Sequence, residues 1–322
     1  MNRTPPRRST ALLCTAVTLL LLATACSSGA SDDDADGPDE PTPTSSAPAP
    51  THSPAPGRPG KPSPGSTAPS SSPSSPAPPA PPAPSGPAKA KIWQPRPGTA
   101  WQWQLNGRVQ DGPDVAVYDI DGFENTAADV AKLHSQGRKA ICYINAGAWE
   151  NFRSDKGDFP SSVLGENNGW EGERWLDIRQ IDVLRPLMER RFDMCRQKGF
   201  DGVEPDLMDG YANKTGFPLT AADQLAYNRL LAGIAHARGL AVGLKNDLQQ
   251  IPELVPDFEF AVNEQCAQYD ECAKLTPFVK ADKAVFHVEY ELPTKDFCAE
   301  SDKLGLSSMR KNLKLDVWRQ PC

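Results

Sequence analysis

The sequence predicts an α/β fold, a closed (β/α)8 barrel, carried behind a long disordered tether rich in Pro, Ser and Ala. Three observations lead there. Short apolar, β-branched runs alternate with helical segments from Ile92 to Cys322, the pattern of parallel strands joined by helical crossovers. Eight such runs can be counted, which favours a sheet closed on itself over an open one. Polar and acidic residues gather at the downstream ends of these runs, and in a barrel those ends converge on one face.

The chain ahead of the barrel has two parts. Arg3, Arg7 and Arg8 precede an apolar run from Ala11 to Ala23 that closes in Ala23-Thr24-Ala25-Cys26. A basic start, a short apolar core and small residues describe a signal peptide over residues 1–25, too short to remain as a span. Cys26 stands where a bacterial lipobox places its lipidated cysteine, so lipidation there is expected. Arg7-Arg8 leave the export route open between the general and twin-arginine pathways. Residues 26–91 are mostly Pro, Ser, Ala, Thr and Gly. Without apolar periodicity they cannot offset their ordering entropy. They read as a semi-stiff tether holding the domain clear of the envelope, or as a plain solubility spacer. The expected location is outside the cell, with the membrane reached only through a lipid anchor on the outer face of the cytoplasmic membrane.

The formal net charge is -7. No basic cluster suggests nucleic acid, and an acidic surface suits a cationic partner. A monomer is the default expectation. Six cysteines lie in residues 92–322, and six in an exported domain suggest three disulfides. The expected pairs are Cys142–Cys195, joining a strand to a following helix, and Cys266–Cys272 and Cys298–Cys322, closing local or terminal loops. The competing zinc site lacks any CxxC pair, and His is scarce.

The strands, in order, are Trp101–Leu105, Val115–Asp121, Lys139–Asn145, Phe200–Val203, Ala241–Asn246, Phe258–Gln265, Ala284–Tyr290 and a weak Leu306–Lys311. Helical spacing runs over Thr126–Gln136, Ile181–Lys198 and Ala221–Arg238, each followed by a glycine stop. An insertion carrying Phe152, Phe159, Trp170 and Trp175 reads as a long loop over one face.

Strand four leads into Glu204, Asp206 and Asp209, three carboxylates within six residues. Pro-Asp and Asp-Gly are also ordinary turn formers. The other strand ends, however, add Asp119, Asp121, Tyr143, Asn145, Lys245, Asn246, Asn263, Glu264, Glu289 and Glu291 to the same face. The sequence shows no Gly-rich phosphate loop, Ser-His-Asp signature or HExxH. Paired carboxylates with aromatic loop residues then point to glycosidic bond cleavage, where one carboxyl protonates the leaving oxygen and another attacks or activates water. Trp170 and Trp175 are either sugar platforms or loop anchors.

Several motifs in order carry a family resemblance. Trp101-Gln-Trp-Gln-Leu, Val117-Tyr-Asp-Ile-Asp-Gly, Cys142-Tyr-Ile-Asn-Ala-Gly, Gly202-Val-Glu-Pro-Asp, Leu244-Lys-Asn, Asn263-Glu-Gln-Cys and Val288-Glu-Tyr resemble the endo-α-1,4-polygalactosaminidases of glycoside hydrolase family 114. The resemblance spans Trp101 to the C-terminus. It implies a TIM-barrel endo-hydrolase of α-1,4-galactosamine polymers, with Asp206 as nucleophile and Glu264 as general acid/base of a retaining reaction. Asp119, Asp121, Tyr143, Asn145, Glu204, Lys245 and Glu289 are the substrate-binding candidates. Glu204 is also a candidate support for Asp206, with Pro205 expected to distort the strand end, and Lys245 for holding Asp206 ionised. No cofactor or metal is called for. A polymer bearing free amines is cationic, which suits an acid-lined cleft. The alternatives are a barrel glycosidase acting on another α-linked sugar and a non-catalytic polysaccharide-binding protein.

Overall fold

The computed structural model describes residues 92–322; the signal region, Cys26 and the tether to residue 91 lie outside the described residues. The chain runs β1 (Trp101–Gln104), β2 (Val117–Asp121), α1 (Ala127–Ser135), β3 (Lys139–Asn145), β4 (Ala148–Glu150), β5 (Leu164–Asn167), β6 (Glu173–Leu176) and α2 (Ile181–Lys198). It continues with β7 (Gly202–Asp206), α3 (Ala221–Ala237), β8 (Ala241–Lys245), α4 (Ile251–Leu254), β9 (Phe260–Glu264), α5 (Thr276–Lys280), β10 (Val285–Glu289), α6 (Thr294–Leu304), β11 (Ser307–Lys311) and β12 (Arg319–Pro321). Eight parallel strands pair in the order β1-β2-β3-β7-β8-β9-β10-β11, and β12 adds an antiparallel edge to β11. The seam between β11 and β1 is bridged by the C-terminal segment, where the Leu315 carbonyl accepts from the N–H groups of Leu105 and Asn106. This is the expected TIM barrel, nearly closed.

Helix ends follow local chemistry. Thr126 with Asp129 and Thr220 with Asp223 form capping boxes at the starts of α1 and α3. Gly199 takes a left-handed φ of 91° to end α2, a conformation glycine adopts without steric cost. Buried Leu184, Leu187, Met188, Phe192 and Cys195 mark the face of α2 turned to the sheet. Disulfides join Cys142 to Cys195, Cys266 to Cys272 and Cys298 to Cys322, the expected strand-to-helix link and the two expected loop closures.

Alternation along the strands sorts the core into two sets. Trp101, Trp103, Val117, Ile141, Phe260, Val262, Phe286, Val288 and Met309 pack together within the barrel. A second set, including Ile120, Cys142, Val203, Leu244 and Ala261, meets the helices. Small residues make room for the interior aromatics: a Cβ on Gly243 would stand 2.3 Å from the Phe260 ring.

Three features depart from the sequence expectation. The insertion after β3 is a three-stranded antiparallel sheet, β4-β6-β5, rather than a long loop. Its strands are three or four residues long, too short for a period to show. Strand four extends through Pro205 without a break, with Ile144 opposite Pro205 and Asn145 opposite Asp206. Glu204 and Asp206 therefore do lie on one side of a regular strand. The strand β12 was not foreseen, because Arg-Gln-Pro carries neither alternation nor β propensity.

Candidate active site

The barrel mouth holds a cavity of about 650 Å³, lined among others by Trp103, Tyr143, Asp206, Lys245, Glu264 and Tyr290. Three consecutive strands supply its acidic floor. Asp206 ends β7, Lys245 ends β8 and Glu264 ends β9. Directly after each, the chain enters left-handed backbone at Leu207 (φ 60°), Asn246 (φ 52°) and Gln265 (φ 61°). Non-glycine residues held this way cost about 1–3 kcal/mol each, and all three turns fall at the mouth. On the other side, Ala146 and Gly147 donate N–H groups to the Asp206 carbonyl at 3.1 and 3.0 Å. A Cβ on Gly147 would come within 1.8 Å of the Leu207 carbonyl oxygen. Only glycine permits that close approach.

Lys245 is the electrostatic centre. Its ammonium lies 2.8 Å from Asp206, 3.2 Å from Glu204 and 3.4 Å from Glu264, and 4.8 Å from the centroid of the Trp103 ring. Burial works against its charge, but the three carboxylates outweigh burial and hold its pKa well above the usual lysine value. Burial likewise opposes ionisation of Asp206. Lys245 and the Tyr143 hydroxyl, which donates to Asp206 Oδ2 at 2.8 Å, reverse that and leave the carboxyl below its ordinary range. Glu264 accepts from the Tyr290 hydroxyl and from Asn246 Nδ2 at 3.2 Å. The Asn246 side-chain oxygen in turn accepts from the Glu264 N–H at 3.0 Å.

The remaining candidates separate by depth. Glu204 lies beneath the floor, fully buried, accepting from the Trp103 indole at 3.0 Å; burial raises its pKa despite Lys245. Asp119 is equally buried and neither of its oxygens has a partner among the described residues. Burial and the adjacent Glu204 push its pKa well above the ordinary carboxyl value. Neither residue lines the cavity, so the expectation that they touch substrate gives way to a supporting position under Lys245. Asp121 does line it, but both of its oxygens bind Arg153, at 3.1 and 2.7 Å. Asn145 is buried and positions the insertion, accepting from the Ala148 N–H at 2.8 Å and donating to Glu173 at 3.3 Å. Glu289 is placed away from the cavity. In β10 the alternation sends Phe286, Val288 and Tyr290 inward, so Glu289 faces the helix layer, where it accepts from the Ala267 N–H at 2.8 Å and contacts His287 at 2.9 Å.

Tyr290, Asn246, Arg153, Glu150 and Glu173 complete the mouth, although no motif assigns them a role. Burial lifts Glu150 to about 7 against the pull of Arg153 and Arg191. Glu173 is also raised, first by burial and then by Asp206, while Asn168 opposes. Of the aromatics, Trp170 and Phe152 are exposed on the cavity rim, whereas Trp175 is buried as an anchor. Among the described residues, Cys266, Cys272 and His287 bring three potential metal ligands together. The disulfide between the two cysteines leaves neither thiolate available.

Residues 82–322 match the model of glycoside-hydrolase family GH114. The chain is similar to the crystal structure of Aspergillus fumigatus Ega3 in complex with galactosamine, with 40% identity and a TM-score of 0.69, covering 74% of this chain and 100% of that one. The glycoside hydrolase domain of PelA from Pseudomonas aeruginosa shares the fold at 15% identity and a TM-score of 0.53, over 67% of this chain and 96% of that one. An uncharacterized protein of Deinococcus radiodurans is 30% identical over 200 residues, which span 55% of this chain and 63% of that relative.

Proposed function

The chain belongs to glycoside-hydrolase family GH114, and from that premise we propose that it cleaves α-1,4-galactosaminidic bonds within a partly deacetylated, cationic polysaccharide, through Asp206 and Glu264. The observation that carries the proposal is that one ammonium touches both carboxylates. Lys245 Nζ is 2.8 Å from Asp206 Oδ1 and 3.4 Å from Glu264 Oε2, so those oxygens are at most about 6 Å apart. That bound fits retaining glycosidases, whose carboxyl groups are about 5–5.5 Å apart, and leaves little room for the attacking water of an inverting pair.

In the first step Asp206, kept ionised by Lys245 and Tyr143, attacks the anomeric carbon. Glu264, protonated at that moment, gives its proton to the departing glycosidic oxygen. In the second step Glu264 takes a proton from water, the water oxygen attacks the same carbon, and Asp206 leaves as carboxylate. Glu204 acts through Lys245, fixing its ammonium between the reacting acids, with Asp119 buried beside Glu204. Six acids line the cavity against Arg153, Lys245 and Lys314, a balance that favours a sugar with a free ammonium over a neutral galactoside. The galactosamine held by Ega3 at 40% identity supports the same choice. The cavity is open enough for an internal stretch of polymer, with Trp170 and Phe152 offering flat faces to sugar rings. Three disulfides fit an oxidising compartment. With the signal-like start and Cys26, the domain acts as a monomer outside the cell, anchored to the outer face of the cytoplasmic membrane.

Incubating the full chain with partly deacetylated α-1,4-galactosaminogalactan tests this directly. Oligosaccharides detected by mass spectrometry, and lost in Asp206→Asn and Glu264→Gln, are the expected result. Polymer binding without release would make the barrel a binding protein, and release of neutral α-galactosides alone would change the substrate.

A further inference from the structure

Next to the catalytic cavity lies a second one of about 530 Å³, framed by the segments that follow β7, β8 and β9. The two cavities share Asn246, Glu264 and Gln265. The second is lined by acids, amides and tyrosines, and no Lys, Arg or His is among its lining residues. Its most telling member is Asp247, 3% exposed, which at φ 44° continues the left-handed turn begun by Asn246.

Helix α3 braces this aspartate from behind. Asn228 donates to Asp247 Oδ2 at 2.9 Å and to the Met208 carbonyl at 3.0 Å, and Gln224 holds Asn228 at 2.8 Å. Asp247 Oδ1 makes no hydrogen bond of ordinary geometry among the described residues, although the Tyr211 hydroxyl stands near enough to favour its ionised form. Oδ1 of Asn263, 1% exposed, in the same wall, makes none either among the described residues. Two buried acceptors left open in one cavity cost free energy unless a donor enters. Burial pushes Asp247 up to about 8 and Asp209 up to about 6, with the neighbouring acids adding to both. No cation among the lining residues offsets these two acids, and of the two Lys245 reaches only Asp209, from the adjoining cavity. The acids here do not gather three ligand atoms within 4.8 Å of one another, a spacing reached among the described residues at Cys266, Cys272 and His287. A compact metal ion is therefore a poor fit, and an organic ammonium on a hydroxyl-rich ring is a good one. Tyr269, 61% exposed, stands at the rim as a stacking face.

We propose that this second cavity is the subsite for the sugar unit on the leaving-group side of the scissile bond, and that Asp247 and Asp209 select a unit there with a free ammonium. The side follows from Glu264, which belongs to both cavities. A general acid stands beside the leaving oxygen, and the unit bearing that oxygen extends past it. The inference rests on the assignment of Glu264 in the proposed function and sharpens it to a rule about cleavage: the bond cut is the one whose departing unit is deacetylated.

The test uses the full chain, partly N-acetylated α-1,4-galactosamine oligosaccharides and α-galactosaminyl fluoride, whose leaving group puts no sugar in the second cavity. Each oligosaccharide cut creates a new non-reducing end, and that end was the unit in this subsite. Mass-spectrometric sequencing should find free amines at these ends in the parent and N-acetyl groups appearing in Asp247→Asn and in the double variant with Asp209→Asn. The ratio of kcat/KM for oligosaccharide to that for the fluoride should fall roughly tenfold or more, as expected for loss of a charge-assisted hydrogen bond. Unchanged ends and an unchanged ratio would overturn the subsite, as would both substrates declining in parallel. A parent that hydrolyses neither substrate would instead sink the hydrolase reading itself.

Discussion

Replacing Lys245 with methionine removes the one positive charge that three buried or half-buried carboxylates share, while keeping the length and volume of the side chain. A unit charge about 3 Å away contributes roughly 5 kcal/mol at an effective dielectric of about 20. Removing one partner of a buried ion pair typically costs about 3–5 kcal/mol. Even the lower figure is about a hundredfold in the ionisation equilibrium of a carboxyl. The contacts at 2.8, 3.2 and 3.4 Å divide that loss, with Asp206 closest. Asp206 loses the charge that outweighs its burial, so its protonated fraction rises and the nucleophile is lost at mildly acidic pH. Hydrolysis of α-galactosaminyl fluoride across pH 4–9 is the assay. The acid limb of kcat/KM should move up by about two pH units, and activity on that limb should fall by about a hundredfold. Circular dichroism checks that the barrel is intact. A variant whose profile overlays the parent within about threefold would refute the role given to this ammonium.

Three further outcomes follow from the same geometry. Trp170→Ala should raise KM for the polymer roughly fivefold with kcat unchanged, because the ring is exposed on the rim and touches no reacting atom; kinetics on polymer and fluoride separate the two constants. The carboxyls raised by burial, Glu150 to about 7 and Asp247 to about 8, keep protons in the folded state that the unfolded chain releases near pH 4. Their stabilising contribution is full below the unfolded value and lost as pH climbs through the folded one. Tm by differential scanning fluorimetry should thus decline from pH 5 to pH 9, and less steeply in Asp247→Asn. Asp129, lowered to about 2 by Arg108 and Thr126 against its burial, acts oppositely and contributes to the acid side of the curve. Cys142→Ala with Cys195→Ala opens a link across 53 residues, worth about 4 kcal/mol on chain-entropy grounds, which urea unfolding should register as a lower midpoint.

Much of this was legible in the sequence because it depends on short-range pattern. The eight barrel strands follow from apolar runs, and the ends of α1, α2 and α3 from Thr caps and glycine stops. The convergence of Asp206, Lys245 and Glu264 is visible because barrel topology brings strand ends together whatever their separation in sequence. What could not be read is which strand-end residue faces which way. Glu289 and Glu264 occupy similar places in similar runs, yet opposite parity sends one toward the segment after β9 and the other into the mouth. A one-residue difference in register reverses the face. Nor does sequence distinguish depth along one face: Glu204 and Asp206 share a side of β7, and only the closing Trp103 and Lys245 reveal that one lies beneath the floor and the other forms it. The insertion sheet and the Arg153 clamp on Asp121 depend on long-range contacts with no local signature.

The central claim is that Asp206 attacks and Glu264 shuttles the proton, and azide rescue tests the two roles in one experiment. With α-galactosaminyl fluoride and sodium azide, Asp206→Gly should yield the β-azide, since azide replaces the missing nucleophile from its own face. Glu264→Ala should yield the α-azide, since azide then attacks the intermediate held on Asp206. Proton NMR of the glycosyl azides reads the configuration. The reverse pairing would exchange the two roles, and both variants turning over at the parent rate without azide would contradict the account.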